Sequence, residues 1–302
     1  MIETIESNNI KWLNIINPTT EDAEYLSKQY KFHDLDIEDC LSKVQRSKIE
    51  TYPDYKFIVL HFPIWYKKSL RLKIEELDIL WGKDYIITLY SNKLTKLYDI
   101  FNLVKTNEHI QTSYFSKGAD YLLYKIISEL VHTVFPIMNQ IGYEIDLIDS
   151  NIDTMKPSRI VEKISALRRN IIFLQTSIKP QKGIFLVLEN QTRNAEVQDM
   201  DIYWGDVGDY IAKLIDTAED FQELIQGLSS SIDTLLTFRT NNSIKTLTIF
   251  SVIMLPLNLI TSFYGMNIKL PFADLKISSF LIMFIMLSIS VSMIVYFKIK
   301  KI

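Results

Sequence analysis

The sequence predicts a mixed α/β domain at its N-terminal end, followed by long helices and two C-terminal transmembrane helices. Three observations carry this. Short runs rich in β-branched and aromatic residues alternate with amphipathic runs up to about residue 115. Apolar residues then recur at heptad spacing from Val207 to Leu235. Finally, neither Thr246–Ile268 nor Ile277–Phe297 contains a charged side chain. The chain accordingly divides into an α/β domain (1–115), a long-helix hairpin (116–190), a stalk helix running into a first span (191–263), a loop (264–276), a second span (277–297) and a basic tail (298–302).

In the α/β part the strand candidates are Ile10–Ile15, Lys56–Trp65, Ile74–Trp81 and Tyr85–Tyr90, of the composition that suits a pleated, half-buried surface. Helix candidates are Thr20–Gln29, capped by Thr19 or Thr20, and Lys93–Thr106. Beyond Gly118 the period becomes helical. One helix is expected over Ala119–Met155, kinked at Pro136, and a second from Pro157 to about Ile178, ended by Pro180. Val207, Ile211, Leu214, Ala218, Phe221, Ile225, Leu228, Ile232 and Leu235 alternate steps of four and three. Such a seam belongs either to helices of different copies packed along their length, or to one amphipathic helix lying on its own domain. No strong stop separates it from the first uncharged stretch, so one very long helix is expected, associating with copies of itself.

At about 1.5 Å per residue, each uncharged stretch crosses roughly 30 Å of hydrocarbon as a helix. The short connection, with Pro271 and Asp274, makes them an antiparallel hairpin. Arg239 and Lys245 precede the first span, and Lys298, Lys300 and Lys301 follow the second. The positive-inside tendency places these flanks, and both ends of the chain, in the cytosol. Met1–Trp12 is acidic and lacks an apolar run, so no signal peptide is expected.

Composition excludes several classes. A net charge of −3 without a basic stripe gives no footprint for nucleic acid. Cys40 is the only cysteine, which rules out an internal disulfide, and it reads as a buried small hydrophobe. His33, His61, His109 and His132 lack metal-ligand spacing, and no Gly-rich phosphate loop or nucleophile motif is present, so neither an enzyme nor a covalent cofactor is expected.

Continuing the seam's spacing into the first span leads to Asn241, Ile244, Thr248, Ser251, Leu255, Asn258 and Ser262. Polar side chains in hydrocarbon must face protein or water. The stripe is therefore either interhelical glue or the lining of an aqueous pore, and composition leaves both open. The serines of the second span, Ser278, Ser279, Ser288, Ser290 and Ser292, are scattered, which suits an outer supporting helix.

The first span closes on Tyr264-Gly265-Met266-Asn267. This resembles the hallmark motif of the CorA family of divalent-cation (magnesium) transporters, where it follows the first of two C-terminal spans. Lys245-Thr246-Leu247-Thr248-Ile249, Pro256-Leu257, Tyr296-Phe297-Lys298, Ala119-Asp120-Tyr121-Leu122-Leu123-Tyr124 and Asp206-Val207 with Asp209 are similar to the family as well.

The resemblance implies a homopentameric funnel with a central pore lined by the first span, in the cell (inner) membrane. It implies transport of Mg²⁺, with Co²⁺ and Ni²⁺ as further permeants. Gly265, Met266 and Asn267 would form the outer mouth, with Tyr264 packed at the interface. Asn241 would form a polar ring at the cytosolic end, and Ile244 and Leu255 apolar constrictions. Lys298, Lys300 and Lys301 would form a basic collar, and Asp206, with Asp209, a site for regulatory Mg²⁺. The chain departs from the family's common residues at Leu255, Asn258 and Ser262, and Lys269 stands in a loop that is often acidic. No partner carboxylate for Asp206 is found, since Tyr66-Lys67-Lys68 is basic. The expectation is an altered or absent cytosolic Mg²⁺ brake. A Zn²⁺ transporter of the same family, and a membrane-anchored coiled-coil scaffold without transport, are the alternatives.

Overall fold

The computed structural model describes residues 2–41, 45–66, 70–152, 154–192, 199–266 and 278–300. The chain forms two compact units, residues 1–229 and 230–302.

The first unit is built on a six-stranded sheet of order β1-β2-β6-β5-β4-β3. Its strands are β1 (Ile2–Ser7), β2 (Ile10–Ile16), β3 (Lys48–Thr51), β4 (Tyr55–Tyr66), β5 (Arg71–Gly82) and β6 (Tyr85–Tyr90). All pairs are antiparallel except β2–β6. The edge strands β1 and β3 escape the sequence patterns because only one residue in them, Ile5, is buried. The turn that makes β1 is nonetheless written in the chain: Asn8 and Asn9 adopt φ of 49° and 59°, and Ser7 pairs with Ile10. Two consecutive left-handed residues form the two-residue hairpin loop for which asparagine is suited.

Helices α1 (Thr20–Gln29) and α2 (Asp34–Leu41) cover one face of the sheet. Thr19 caps α1 in a capping box with Asp22, each side chain bonded to the other's backbone N–H. After α3 (Thr95–Thr106) and α4 (Glu108–Tyr114), the expected helix over Ala119–Met155 is two helices, α5 (Ala119–His132) and α6 (Val134–Ser150). Pro136 breaks it rather than kinking it. As the third residue of α6 it occupies a position whose N–H has no intrahelical partner in any case, and the Thr133 hydroxyl takes up the Leu130 carbonyl at 2.6 Å.

α7 runs Pro157–Thr192, straight through Pro180, where an end was expected. Pro180 and Thr176, whose carbonyl loses its donor, both lie on the exposed face, so water can satisfy it. On the buried face Leu174, Ile178, Phe185 and Leu188 continue the apolar stripe across the proline.

α8 spans Met200–Tyr264 as one helix, as the missing stop signal implied. Within the first unit its seam is buried by its own chain. Val207, Ile211, Leu214, Ala218, Ile225 and Leu228 are buried and Phe221 is half-buried. A Cβ on Gly142 of α6 would lie 3.2 Å from the Phe221 ring, and Gln175 of α7 donates to the Ala218 carbonyl at 3.2 Å. The amphipathic-helix reading therefore holds for the seam of this segment.

The second unit contains the rest of α8 and α9 (Ser278–Ile299). Both are long and apolar enough to cross a membrane, and their apolar windows are not buried. Ala119–Ser150 also meets the length and composition of a span, but half its window is buried. Broken at Thr133 and packed in the first unit, it is a core helix pair.

Candidate ion pathway

The outer part of α8 has two distinct sides. Ile249, Ile253, Pro256, Leu257 and Ile260 are half-buried, and α9 carries a matching stripe at Ile282, Met286, Ile289, Met293 and Phe297. Each stripe marks the more covered side of its helix. Asn241, Ile244, Thr248, Ser251, Leu255, Asn258 and Ser262 are all exposed. At 3.6 residues per turn their mean direction lies roughly 150° around the helix from the half-buried side. The polar stripe thus points away from the half-buried side of α8.

The stripe's hydrogen bonding divides it. Thr248 donates to the Ile244 carbonyl and Ser251 to the Leu247 carbonyl, each at 2.9 Å. These hydroxyls are self-sufficient in any solvent. Asn241 and Asn258 have no side-chain partner among the described residues. Each amide offers two donors and an acceptor, and in hydrocarbon every unmade bond costs several kcal/mol. Ile244 and Leu255 are 56% and 70% exposed, large apolar side chains on the same open side.

α8 ends at Tyr264. The Gly265 N–H bonds the Thr261 carbonyl at 2.9 Å, and a Cβ at Gly265 would sit 3.0 Å from that same oxygen, tighter than ordinary contact. Glycine here provides close approach over the helix end rather than a left-handed φ. Tyr264 and Met266 are exposed, and the Tyr264 ring meets Phe263 edge-on at 5.6 Å. Asn267 and Lys301 lie outside the described residues. Lys298 and Lys300 are exposed at the end of α9.

Asp206 and Asp209 are three residues apart and both exposed on α8. Beside them Tyr121, Tyr124 and Tyr203 form a ring cluster, with Tyr124 and Tyr203 4.8 Å apart. Burial first, and then the Asp206 charge, push the Tyr124 hydroxyl above its ordinary pKa. Among the described residues no group of three His, Cys, Asp or Glu side chains converges as a metal cage. The structure gives Asp206 and Asp209 a common face and no third ligand from the described chain.

Sequence patterns passed over one acid. Asp78 sits at a core-facing position of β5, where the alternation that fixes the strand's register calls for an apolar residue. That mismatch was readable once β5 was recognised.

The α/β unit, the long α8 and the apolar pair α8–α9 define a two-span membrane protein carried on a large α/β domain. The chain belongs to the CorA-like Mg²⁺ transporter family, whose model matches residues 7–301, a family of transporters rather than enzymes. It is 29% identical over 299 residues to the cobalt/magnesium transport protein CorA of Thermotoga maritima, covering 98% of this chain and 84% of that one. It is 27% identical to the putative metal ion transporter YfjQ of Bacillus subtilis, covering 98% and 91%. Its fold matches the complete structure of the CorA magnesium transporter from Methanocaldococcus jannaschii with a TM-score of 0.83 at 20% identity, over 97% of this chain and 92% of that one. It also matches the full-length CmaX protein with a TM-score of 0.76 at 18% identity, over 96% and 88%.

Proposed function

We propose that the chain is the subunit of a homopentameric Mg²⁺ channel, with Co²⁺ and Ni²⁺ as further permeants, whose pore is lined by the outer part of α8. The observation that carries this is the exposed polar stripe opposite the half-buried side of α8, with the unmade amide bonds of Asn241 and Asn258. Water and copies of the same helix would satisfy those amides where lipid would not. The names of the relatives in Thermotoga maritima and Methanocaldococcus jannaschii support Mg²⁺ and Co²⁺ as cargo. The basic flanks support a multi-pass inner-membrane protein with both termini cytosolic.

In this reading Tyr264, Gly265, Met266 and Asn267 form the outer mouth. Mg²⁺ dehydrates reluctantly and keeps several waters. A neutral ring of carbonyls and amides can hold those waters without the grip of a carboxylate ring. Thr248, Ser251, Asn258 and Ser262 carry the hydrated ion on, and Ile244 and Leu255 close the path by dewetting. Lys298, Lys300 and Lys301 surround the cytosolic neck, while Asp206 and Asp209 bind regulatory Mg²⁺ weakly, since among the described residues no third carboxylate joins them.

The test is influx of Mg²⁺ and of Zn²⁺ into liposomes holding the purified protein, compared with Asn267→Ala. Mg²⁺ influx that the substitution removes is the expected result. Zn²⁺ influx alone would move the chain to a zinc-transporting role, and no flux of either ion would leave a scaffold.

A further inference from the structure

The sheet face under α1 and α2 is apolar over most of its length, with Leu13, Ile15, Val59, Leu80 and Leu89 packed against Ala23, Leu26 and Ile37. At one place the pattern fails. Asp78 is paired between Val59 of β4 and Leu89 of β6, and it is only 6% exposed. Its carboxyl has no hydrogen bond or ion pair with any described residue. It lines a cavity of about 260 Å³ together with Glu75, Glu76, Cys40 and Tyr90.

The neighbouring charges leave Asp78 unanswered. Ser91 donates to Glu75 at 2.6 Å, and Lys93 lies 3.6 Å from its other oxygen. His61 Nε2 lies 3.2 Å from Glu76 Oε2, which also accepts the Gln45 N–H. Both contacts use Oε2, so Glu76 Oε1 remains. Lys48 is held by Asp39 at 2.7 Å and by Glu50 at 3.0 Å. An unpaired acid in a sheet interior is a costly feature unless something enters the cavity beside it.

We propose that this cavity binds a hydrated divalent cation of the Mg²⁺ type, with Asp78 as its direct ligand and Glu76 Oε1 holding one of its waters. One or two carboxylates with several retained waters is how Mg²⁺ usually binds to protein. It also accords with the lack of a three-residue ligand cage among the described residues. At about 30 Å³ of liquid volume per water, the cavity has room for the ion and part of its shell. Na⁺ or K⁺ would gain less from two carboxylates, and a soft ion would need a thiolate.

The experiment counts Mn²⁺ bound per chain by electron paramagnetic resonance, using full-length protein in detergent. The protein carries Asn267→Ala, Asp206→Ala and Asp209→Ala, so that neither the pore mouth nor the α8 acids contribute. The expected result is one Mn²⁺ per chain, displaced by Mg²⁺, with affinity at least tenfold weaker once Asp78→Asn is added. No bound Mn²⁺ beforehand, or the same count and affinity afterwards, overturns the proposal. A second measurement needs no substitution. Cys40 is the only cysteine and lines the same cavity, so Mg²⁺ at Asp78, by filling the cavity and offsetting the carboxylate charge, should change the rate of its modification by methyl methanethiosulfonate severalfold, where K⁺ at equal ionic strength does not. Equal rates in the two salts overturn the proposal.

Discussion

β6 pairs with β5 only over Leu77–Trp81, which leaves the beginning of β5 with an open edge. Asn170 of α7, 1% exposed, closes it. Its Oδ1 accepts the Leu72 N–H at 3.1 Å and its Nδ2 donates to the Leu70 carbonyl at 2.8 Å. Leu70 has a φ of 48°, a left-handed conformation that leucine adopts only when its surroundings hold it there. Asn170→Ala removes both bonds and leaves the Leu72 N–H buried without an acceptor, at a cost of about 1–3 kcal/mol. At about 1.4 kcal/mol per factor of ten, amide hydrogen exchange over residues 70–76 should speed up about 5- to 140-fold. The assay is exchange mass spectrometry on the full-length protein in detergent, comparing that segment with 77–81. Exchange in 77–81, held by β6, should change little. Equal exchange over 70–76 in the two proteins would refute the capping role. An equal rise across the whole unit would refute it too, since a general loss of packing would then account for the effect.

Two further perturbations test the frame. Ala218, fully buried on α8 at a seam position, should not accept a larger side chain; Ala218→Leu should cost about 1–3 kcal/mol and lower the thermal midpoint of the detergent-solubilised protein, whereas Ile244→Ala should leave it unchanged. Tyr55 donates to Asp36 at 2.6 Å and accepts the His33 N–H at 2.8 Å, so Tyr55→Phe should destabilise the unit by about 1.5–3 kcal/mol. Burial raises the Asp36 pKa above its ordinary 3.8 while the Tyr55 and Tyr52 hydroxyls hold it down. A raised carboxyl binds its proton more tightly folded than unfolded, so stability falls as pH rises from 3.8 through the folded value. Removing Tyr55 lifts that value further, and midpoints measured from pH 4 to 8 should show the Tyr55→Phe deficit growing with pH.

What could be read in the sequence follows from where each element finds its partners. β4, β5 and β6 are buried on both faces and announce themselves as apolar runs, and α1 is marked by Thr19 and Asp22. β1 and β3 are edges with little to bury, so only the Asn8-Asn9 turn gives one of them away. Pro180 misled because a proline's effect depends on which side of a helix it occupies, and that is fixed by the packing of α7 on the sheet. The two long apolar helices were legible because an uncharged stretch of about twenty residues has few other uses, whereas Tyr264-Gly265-Met266-Asn267 was readable only through its resemblance to the family. The contacts of Asn170 and the cavity at Asp78 join segments far apart in the chain, and no local pattern records them.

The seam on α8 bears most directly on function. Heptads from Val207 to Leu235 were the ground for a coiled-coil scaffold, since helices of separate copies were one way to bury them. Six of those positions, from Val207 to Leu228, are buried by the chain itself. A scaffold held together by that seam would have to unpack α8 from α6 and α7, exposing Leu214, Ile225 and their partners, at roughly 1.5–3 kcal/mol for each large side chain. What a second copy can reach without that cost is the outer part of α8, on the side turned away from the half-buried stripe. There the unmet demand is for hydrogen bonds rather than apolar area, at Asn241 and Asn258. In the proposed channel, association of copies around that side would meet the demand with water and with other amides at once. A helix that keeps its apolar seam for its own domain and leaves Asn241 and Asn258 exposed fits the proposed pore better than a scaffold held by that seam.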